Sequence, residues 1–472
     1  MVTEAVNLAG GFNGIIQNGD TVVIKPNLVL GEIATGTLPP QVNGITTDYR
    51  VIKAIVELVR DINPNGTVYV MEGSANPTRP IMTSQLYDHS HIPGVDDFLA
   101  IEEDSGAWMD YNSPGLVQVS LPDGRLNTSY YMNRKYYEAD VLISVPTLKN
   151  HSSACVTGGL KNCGIGGTPG NIYGTSSTDP LRLDMVSHFT TDLHAWIHDW
   201  YLCRPIDFVI TDGLQGLQNG PGHYDLVNLG AEQMNMRLIL AGTDAVAVDT
   251  IQSLIIGWDP ESVAHLTYLN ESSQGNIDTS CITVVGEKVM DVKESFEGSI
   301  PYAGGSRISD NSPPSLSVTS SDFSNGTCNL SLSVASETVK VEVYIDGNLR
   351  DPVVTGNFTS INMDISDLPS GDYVADMYAY DRFLNYSSTS IPFTTSTGGT
   401  PVPTSAPGNL GDVNGDGNID IVDALLTAQY YVGLNPDGFD PAQADVNCDE
   451  GIDIVDALLI AQYYVGLVSE FC

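Results

Sequence analysis

One phrase of 23 residues is written twice at the carboxyl end of this chain. Residues 412–434 read DVNGDGNIDIVDALLTAQYYVGL and residues 445–467 read DVNCDEGIDIVDALLIAQYYVGL, so 19 of 23 positions are identical at an offset of 33 residues. A duplication this close commits both copies to one local structure. Each copy opens with oxygen-bearing side chains at loop positions 1, 3, 5, 9 and 12: Asp412, Asn414, Asp416, Asp420 and Asp423, then Asp445, Asn447, Asp449, Asp453 and Asp456. Position 7, Asn418 or Gly451, offers a backbone carbonyl. A hard cation of calcium's size takes six to eight oxygens, and alternating carboxylates on a tight loop wrap around it. A solvated acidic face is the ordinary fate of such charges, but it does not require spacing that recurs residue for residue. After each loop, apolar residues at helical spacing (Ala424, Leu425, Ala428, Tyr431, Val432 and their repeats) predict one amphipathic helix. Gly417 supplies the turn at position 6 of the first loop, whereas the second has Glu450 there and Gly451 one place late, which predicts a weaker or distorted second site.

This pair of EF-hand-like loops and helices resembles a type I dockerin, over residues 410–472. The resemblance implies a small all-α domain, two calcium ions, and a partner: a cohesin domain of a cellulosome-like scaffold concerned with polysaccharide degradation. It also implies a secreted, extracellular setting. In that family loop positions 10 and 11 help read the cohesin and often carry small hydroxyl residues. Here they are Ile421 and Val422, then Ile454 and Val455, which predicts a more apolar contact. The near identity of the halves fits the family's habit of binding in either of two orientations.

The chain has 472 residues, 42% of them hydrophobic, enough for about three domains. Only 19 Lys and Arg face 58 Asp and Glu, a net charge of -39, which argues against nucleic acid or anionic membrane as partner. No apolar run is long enough to span a bilayer, and residues 1–11 lack the basic start and apolar core of a signal peptide. Set beside the export that a dockerin implies, that start reads as truncated. The seven cysteines match neither a zinc motif nor a disulfide framework, although a Cys448–Cys472 bridge would tie the last helix back onto the second loop.

Residues 1–300 alternate strand and helix patterns: strands at 21–24, 67–72, 141–145, 208–211 and 238–241, helices at 48–61, 192–201 and 245–256. Such alternation predicts an α/β module with a mostly parallel sheet covered on both faces, and ligands of such sheets sit beyond the carboxyl ends of the strands. Lys25 and Asn27 follow the first strand, Glu72 ends the second, and Lys149, Asn150 and His151 follow the third. A Gly-rich segment carrying Lys161 and Asn162 comes next, and Asp212 closes another strand. Ammonium and amide donors together suit carboxylate or phosphate oxygens, so these residues form a candidate anion-accepting pocket. His151, Lys149 and Lys161 are its catalytic candidates, His151 as general acid or base. The alternative is that the lysines neutralise buried acids such as Glu72 and Asp212. His194 and His198, four apart on a helix with His188 upstream, form a weaker candidate for a transition metal.

The phrases VVIKPNLV, GITTDYRVIKAIVELV, VPTLKNH, TGGLKN and AGTDAVAVDT, in order over residues 15–290, resemble the bacterial and archaeal family catalogued as domain of unknown function 362. That family has no settled reaction, so the resemblance implies a fold and a pocket without naming chemistry. The four-cysteine ferredoxin-like cluster of some members is missing, so no iron-sulfur cluster is expected. A looser likeness joins the TGGLKNCGIGG region to nickel-pincer lactate racemase-like proteins.

From 311 to 395 the pattern becomes short alternating strands, an immunoglobulin- or fibronectin-like β-sandwich serving as spacer, with hairpin turns at Asp346-Gly347 and at residues 369–372. Residues 396–409 form a Thr/Pro/Gly linker. The whole reads as a multidomain, scaffold-attached protein. Its α/β module either acts on an anionic or carbohydrate-derived small molecule, or is a non-catalytic binding or structural component.

Overall fold

The computed structural model describes residues 1–28, 43–74, 78–174, 192–221, 231–298, 304–354, 358–395, 410–415, 417–432, 434, 436, 438–448, 451–464, 468 and 471. Two compact units account for the chain, one holding residues 1–368 and 372–395, the other the carboxyl-terminal repeat. The linker expected at 396–409 lies outside the described residues, as do Asp416, Asp449, Glu450, Cys472 and His188.

The first unit is built on a sheet whose strands run in the order Cys155–Val156, Thr147–His151, Phe208–Gln218, Val141–Val145, Thr21–Pro26, Thr67–Glu72, Asp97–Ala100. The five strands from Phe208–Gln218 to Asp97–Ala100 pair in parallel. Leu238–Gly242 adds an antiparallel edge to Phe208–Gln218. Unbroken β-branched runs such as Thr21-Val22-Val23-Ile24 fit a sheet buried on both faces. Side chains alternate across it: Val22 and Ile24 enter one core with Ile52, Ile55 and Val59 of the Tyr49–Ile62 helix. Val23 enters the other with Trp196, Trp200 and Leu254. Asp48 starts the Tyr49–Ile62 helix by accepting the Arg50 backbone N–H.

The Gly-rich segment is a helix, Gly158–Gly166, buried along its whole length. Glycine disfavours helix, so local sequence does not announce it; what requires glycine is close approach. A Cβ on Gly159 would lie 2.9 Å from Val209 Cγ2, and one on Gly166 would collide with the Lys25 ammonium.

Residues 316–395 form two antiparallel sheets, of three and four strands, that share one core. Asp346-Gly347 makes a two-residue hairpin turn, both φ positive at 48° and 80°, as a type I′ turn demands. The expected hairpin at 369–372 is corrected: Ser360–Asp364 belongs to one sheet and Gly371–Tyr380 to the other, so that turn carries the chain between sheets.

These sheets do not stand apart from the α/β module. Tyr380, Phe383 and Leu384 belong to its core, and Arg382 pairs with Asp259 at 2.7 Å. Lys340 Nζ donates to the Ile282 carbonyl and to Glu342, each at 2.9 Å. Lys288 reaches across from the module, 4.2 Å from the Tyr344 ring centroid and 4.6 Å from that of Tyr378. Removing one partner of a buried pair leaves the other charge dry. Lys340→Ala, which leaves Glu342 with Lys288 at 3.7 Å and the Tyr344 hydroxyl at 3.0 Å, is therefore expected to cost about 3 kcal/mol. All four tryptophans (108, 196, 200 and 258) lie in the α/β module, so their fluorescence during urea unfolding checks it. An unshifted tryptophan midpoint would mean that the sheets and the module unfold separately.

Candidate functional site

In the second unit, Asp423 and Asp456 organise the two acidic loops. Asp423 Oδ1 accepts from the backbone N–H groups of Val413, at 2.9 Å, and Asn414, at 3.2 Å, while Oδ2 accepts from Asp420 at 2.8 Å. Asp456 repeats this with Val446, Asn447 and Asp453 at 3.0, 3.3 and 2.9 Å. Each loop is thereby closed from positions 2, 3 and 9 onto position 12, and the helices Ile421–Tyr431 and Ile454–Tyr464 start from it. Asp412 Oδ2 accepts from Gly417 at 3.0 Å, whereas its Oδ1 is buried with no partner among the described residues. A buried carboxylate oxygen left unpaired is costly, and a cation in the loop satisfies it, so the donor set fits calcium. No three His, Cys, Asp or Glu side chains cluster at metal distance among the described residues, but Asp416 and Asp449, the fifth-position ligands, lie outside them. Asn414, Asn418, Asp445, Asn447 and Gly451 lie on the same loops.

The two helices pack over a small core of Val413, Ala424, Ala444, Val446 and Ile460. Between them runs an apolar groove of about 550 Å³ lined by Ile421, Val422, Leu425, Ile454, Val455 and Leu458 among others. Those six are 45% to 56% exposed. Sequence reasoning named four of them and missed Leu425 and Leu458, whose signal is their position one helical turn beyond Ile421 and Ile454.

At the carboxyl ends of the parallel strands the structure gathers part of the other candidate set. Lys25 Nζ donates to the Pro26 carbonyl at 2.6 Å, to Glu72 at 2.7 Å and to Asn162 Oδ1 at 2.9 Å, all buried. Asn162 Nδ2 returns a bond to the Lys25 carbonyl. Lys149 Nζ donates to Asn27 Oδ1 at 3.1 Å and to the Ile45 carbonyl at 2.7 Å. Asp212 accepts backbone N–H groups from Asp48 and Leu214, and burial pushes its carboxyl up to about 6. Asn150 is bonded to Trp258 Nε1 and the Glu297 carbonyl. His151 Nδ1 accepts from Ser153 and Ala154 backbone N–H groups, which puts its proton on Nε2. Lys161 is buried on the Gly-rich helix, and its charge helps burial to lower the His265 imidazole, while its neighbour Asn162 faces Lys25.

Asp249, which sequence reasoning quoted only inside a family phrase, caps the Gly-rich helix by accepting from Gly159 at 2.7 Å and Leu160 at 3.0 Å. Burial lifts its carboxyl to about 7 against those bonds.

The histidine pair His194 and His198 does not converge on one point. His194 Nδ1 lies 2.8 Å from His265 Nδ1 with the rings stacked, and His198 is held by Asp199 and Ser272. The weaker metal reading thus gives way to the packing role that a lone histidine pair more often has: two separate buried contacts, because the helix Ala264–Glu271 and its C-cap Ser272 supply a partner to each. Burial drives His194 down to about 4 from 6.5, and His265 well below 6.5. The unfolded chain binds these protons near 6.5, so stability is full above that pH and is lost as pH falls from about 6.5 toward 4. Tryptophan-monitored urea unfolding is expected to show a loss on the order of 2 kcal/mol from His194 between about pH 7 and about pH 4.5. His194→Gln should flatten that limb; a slope identical to wild type overturns the assignment.

Family comparison matches residues 22–253 to the Domain of unknown function (DUF362) and residues 410–464 to the Dockerin type I domain. Among curated proteins, a thylakoid-associated protein of Synechocystis sp. is 24% identical over 265 residues, 54% of this chain and 68% of that protein. Among solved structures, the lactate racemase apoprotein of Thermoanaerobacterium thermosaccharolyticum is 13% identical with a TM-score of 0.31, covering 59% of this chain and 55% of that one. The fibronectin(III)-like modules of Clostridium thermocellum CbhA are 13% identical with a TM-score of 0.15, covering 17% of this chain and 46% of theirs. The chain thus spans about half the length of these solved chains.

Proposed function

We propose, for a chain whose residues 22–253 belong to the domain of unknown function 362 family and whose residues 410–464 are a type I dockerin domain, the role of calcium-dependent cargo on an extracellular, cohesin-bearing scaffold. The observation that supports it is the groove between the two dockerin helices. Six large apolar side chains, three from each copy of the repeat, stand about half exposed on one face, where an unpartnered apolar patch marks a protein contact. Ile421, Val422, Ile454 and Val455 would read the cohesin, with Leu425 and Leu458 extending the same face. Calcium at both loops holds each helix start in place: Asp412, Asn414, Asp416, Asn418, Asp420 and Asp423 on the first, Asp445, Asn447, Asp449, Gly451, Asp453 and Asp456 on the second.

For the α/β module, the geometry supports a binding or structural cargo better than an enzyme working through its lysines. Three acceptors already match the three N–H bonds of Lys25, so an anionic ligand there would have to displace Glu72 or Asn162. A screen of the full chain against plant-polymer fragments and small organic acids tests this reading. Turnover lost on His151→Gln or Lys149→Met would replace it with an anion- or carbohydrate-directed enzyme.

The groove makes a sharper prediction. Leu425→Asp alone is expected to weaken cohesin capture by about tenfold, since both halves line the one groove and Leu458 keeps only its own share of the contact. Leu425→Asp with Leu458→Asp should weaken it by at least about a hundredfold, a scale set by losing buried apolar anchors. Surface plasmon resonance against a panel of cohesins, with and without a calcium chelator, measures both. Capture undiminished in the double variant would overturn the docking face.

A further inference from the structure

The short strands Glu103–Asp104 and Ala107–Trp108 form a hairpin whose turn residues, Ser105 and Gly106, both have positive φ, 52° and 80°. The hairpin leaves the carboxyl end of the edge strand Asp97–Ala100. There the Ile101 N–H donates to the Glu72 carbonyl at 2.9 Å, and Asn133 Nδ2 donates to the Ile101 and Glu103 carbonyls at 3.0 and 3.2 Å. That is the end at which ligands of parallel sheets sit. Residues 105–108 and 110–112 are exposed around one buried side chain, Met109. Of the large hydrophobic side chains exposed among the described residues of the first unit, the aromatic ones are Trp108, at 36%, and Tyr111, at 61%. Three residues of chain hold their Cα atoms within about 11 Å of each other.

Tyr111 is fixed although most of it stays in water. Its hydroxyl donates to the Ile172 carbonyl at 3.0 Å, and its ring meets that of Tyr131 edge to face with centroids 5.1 Å apart. Between the two aromatic residues, Asn171 Nδ2 donates to the Met109 carbonyl. A ring so exposed adds little to the core, and one so held loses little freedom on binding. The surroundings select the ligand. No Lys or Arg stands between Arg79 and Arg125 in the sequence, and Arg79 is paired with Glu103 at 2.6 Å. Asp110 is exposed on the ledge beside Asn112. A polyanion is repelled here, whereas hydroxyl groups donate well to an ionised carboxylate. A protein partner needs about 800 Å² a side, yet between Leu8 and Val285 no other described large hydrophobic side chain is exposed. A pyranose ring offers what this ledge lacks: an apolar C–H face for an aromatic ring and hydroxyls at its rim.

We propose that Trp108 and Tyr111 form a platform for a neutral polysaccharide chain, an inference that rests on the binding-cargo reading of the α/β module. Each ring stacks on one sugar, and Asp110 and Asn112 bond the hydroxyls beside it. Calorimetric titration of the full chain with cellohexaose, xylohexaose and mannohexaose, and with oligogalacturonate as the anionic counterpart, tests it. At least one neutral hexaose is expected to bind, and oligogalacturonate at least about tenfold more weakly than it. Trp108→Ala and Tyr111→Ala should each weaken that hexaose by about tenfold, the scale of losing one aromatic anchor, at an unchanged urea midpoint. Trp108→Phe keeps a stacking ring and should bind within about threefold of wild type, while abolishing the change in tryptophan emission that the sugar causes in the wild type. Binding unchanged in both alanine variants, equal binding of oligogalacturonate, or no binding of any neutral hexaose by a chain that still captures cohesin overturns the platform alone. Hexaose binding by a chain that captures no cohesin supports the platform and overturns the scaffold reading instead.

Discussion

Asp423 takes three backbone N–H groups on one carboxylate, those of Val413, Asn414 and Asp420, and Asp456 does the same in its own loop. A buried N–H left unpaired costs about 1–3 kcal/mol, and a charged acceptor makes the stronger bond. The first unit uses the same device. Asp249 caps a glycine-rich helix that would not hold its first turn without it. Asp244 accepts from Val246, Ala247 and Asn276. Asp199, fully buried, gathers Arg125 and Leu126 backbone N–H groups, the Tyr130 hydroxyl and His198. Despite the burial, those bonds hold its carboxyl below the usual carboxylate range. Much of the chain's acidity is therefore architecture, fixing loops and helix starts that positive side chains are too scarce to fix.

Scarcity also decides where the cations go. Lys25 and Lys340 are buried without remainder, and each is surrounded by acceptors: Glu72, Asn162 and a carbonyl for one, Glu342 and a carbonyl for the other. Such pairs are geometrically exact but weakly stabilising in sum, since desolvation offsets their attraction. Their effect is to fix register. Lys25 locks the Thr21–Pro26 strand to the Thr67–Glu72 strand and to the Gly-rich helix, and Lys340 locks the sandwich strands to residue 282 of the module.

Period and repetition were legible in the sequence, while partnership was not. The Thr67–Glu72 and Val141–Val145 strands fall where their β-branched runs end, and the dockerin helices start at the residues after their capping aspartates. The Gly158–Gly166 helix was not legible, because its stability comes from Asp249, some 90 residues away, and from close contacts that favour glycine. The lysine cluster was half legible. Lys25 and Asn162 meet, while the partner of His194 is His265, 71 residues further along, whose spacing gives no local sign. The docking of the sandwich rests on Lys288 meeting tyrosines 56 and 90 residues further along, contacts that no window of sequence displays.

The repeat itself shows which surfaces its two copies hold in common. Of the positions where they differ, three lie in the loop (Gly415 and Cys448, Gly417 and Glu450, Asn418 and Gly451) and one in the helix, Thr427 against Ile460. The helix difference faces inward: Thr427 bonds the Asp423 carbonyl, and Ile460 fills the core. Every groove residue is the same in both copies. A partner that reads the groove therefore meets the same side chains whichever helix leads, and the differences are confined to the loops and to one inward position. Symmetry thus belongs to the exposed face, and asymmetry to the loops and the core behind it.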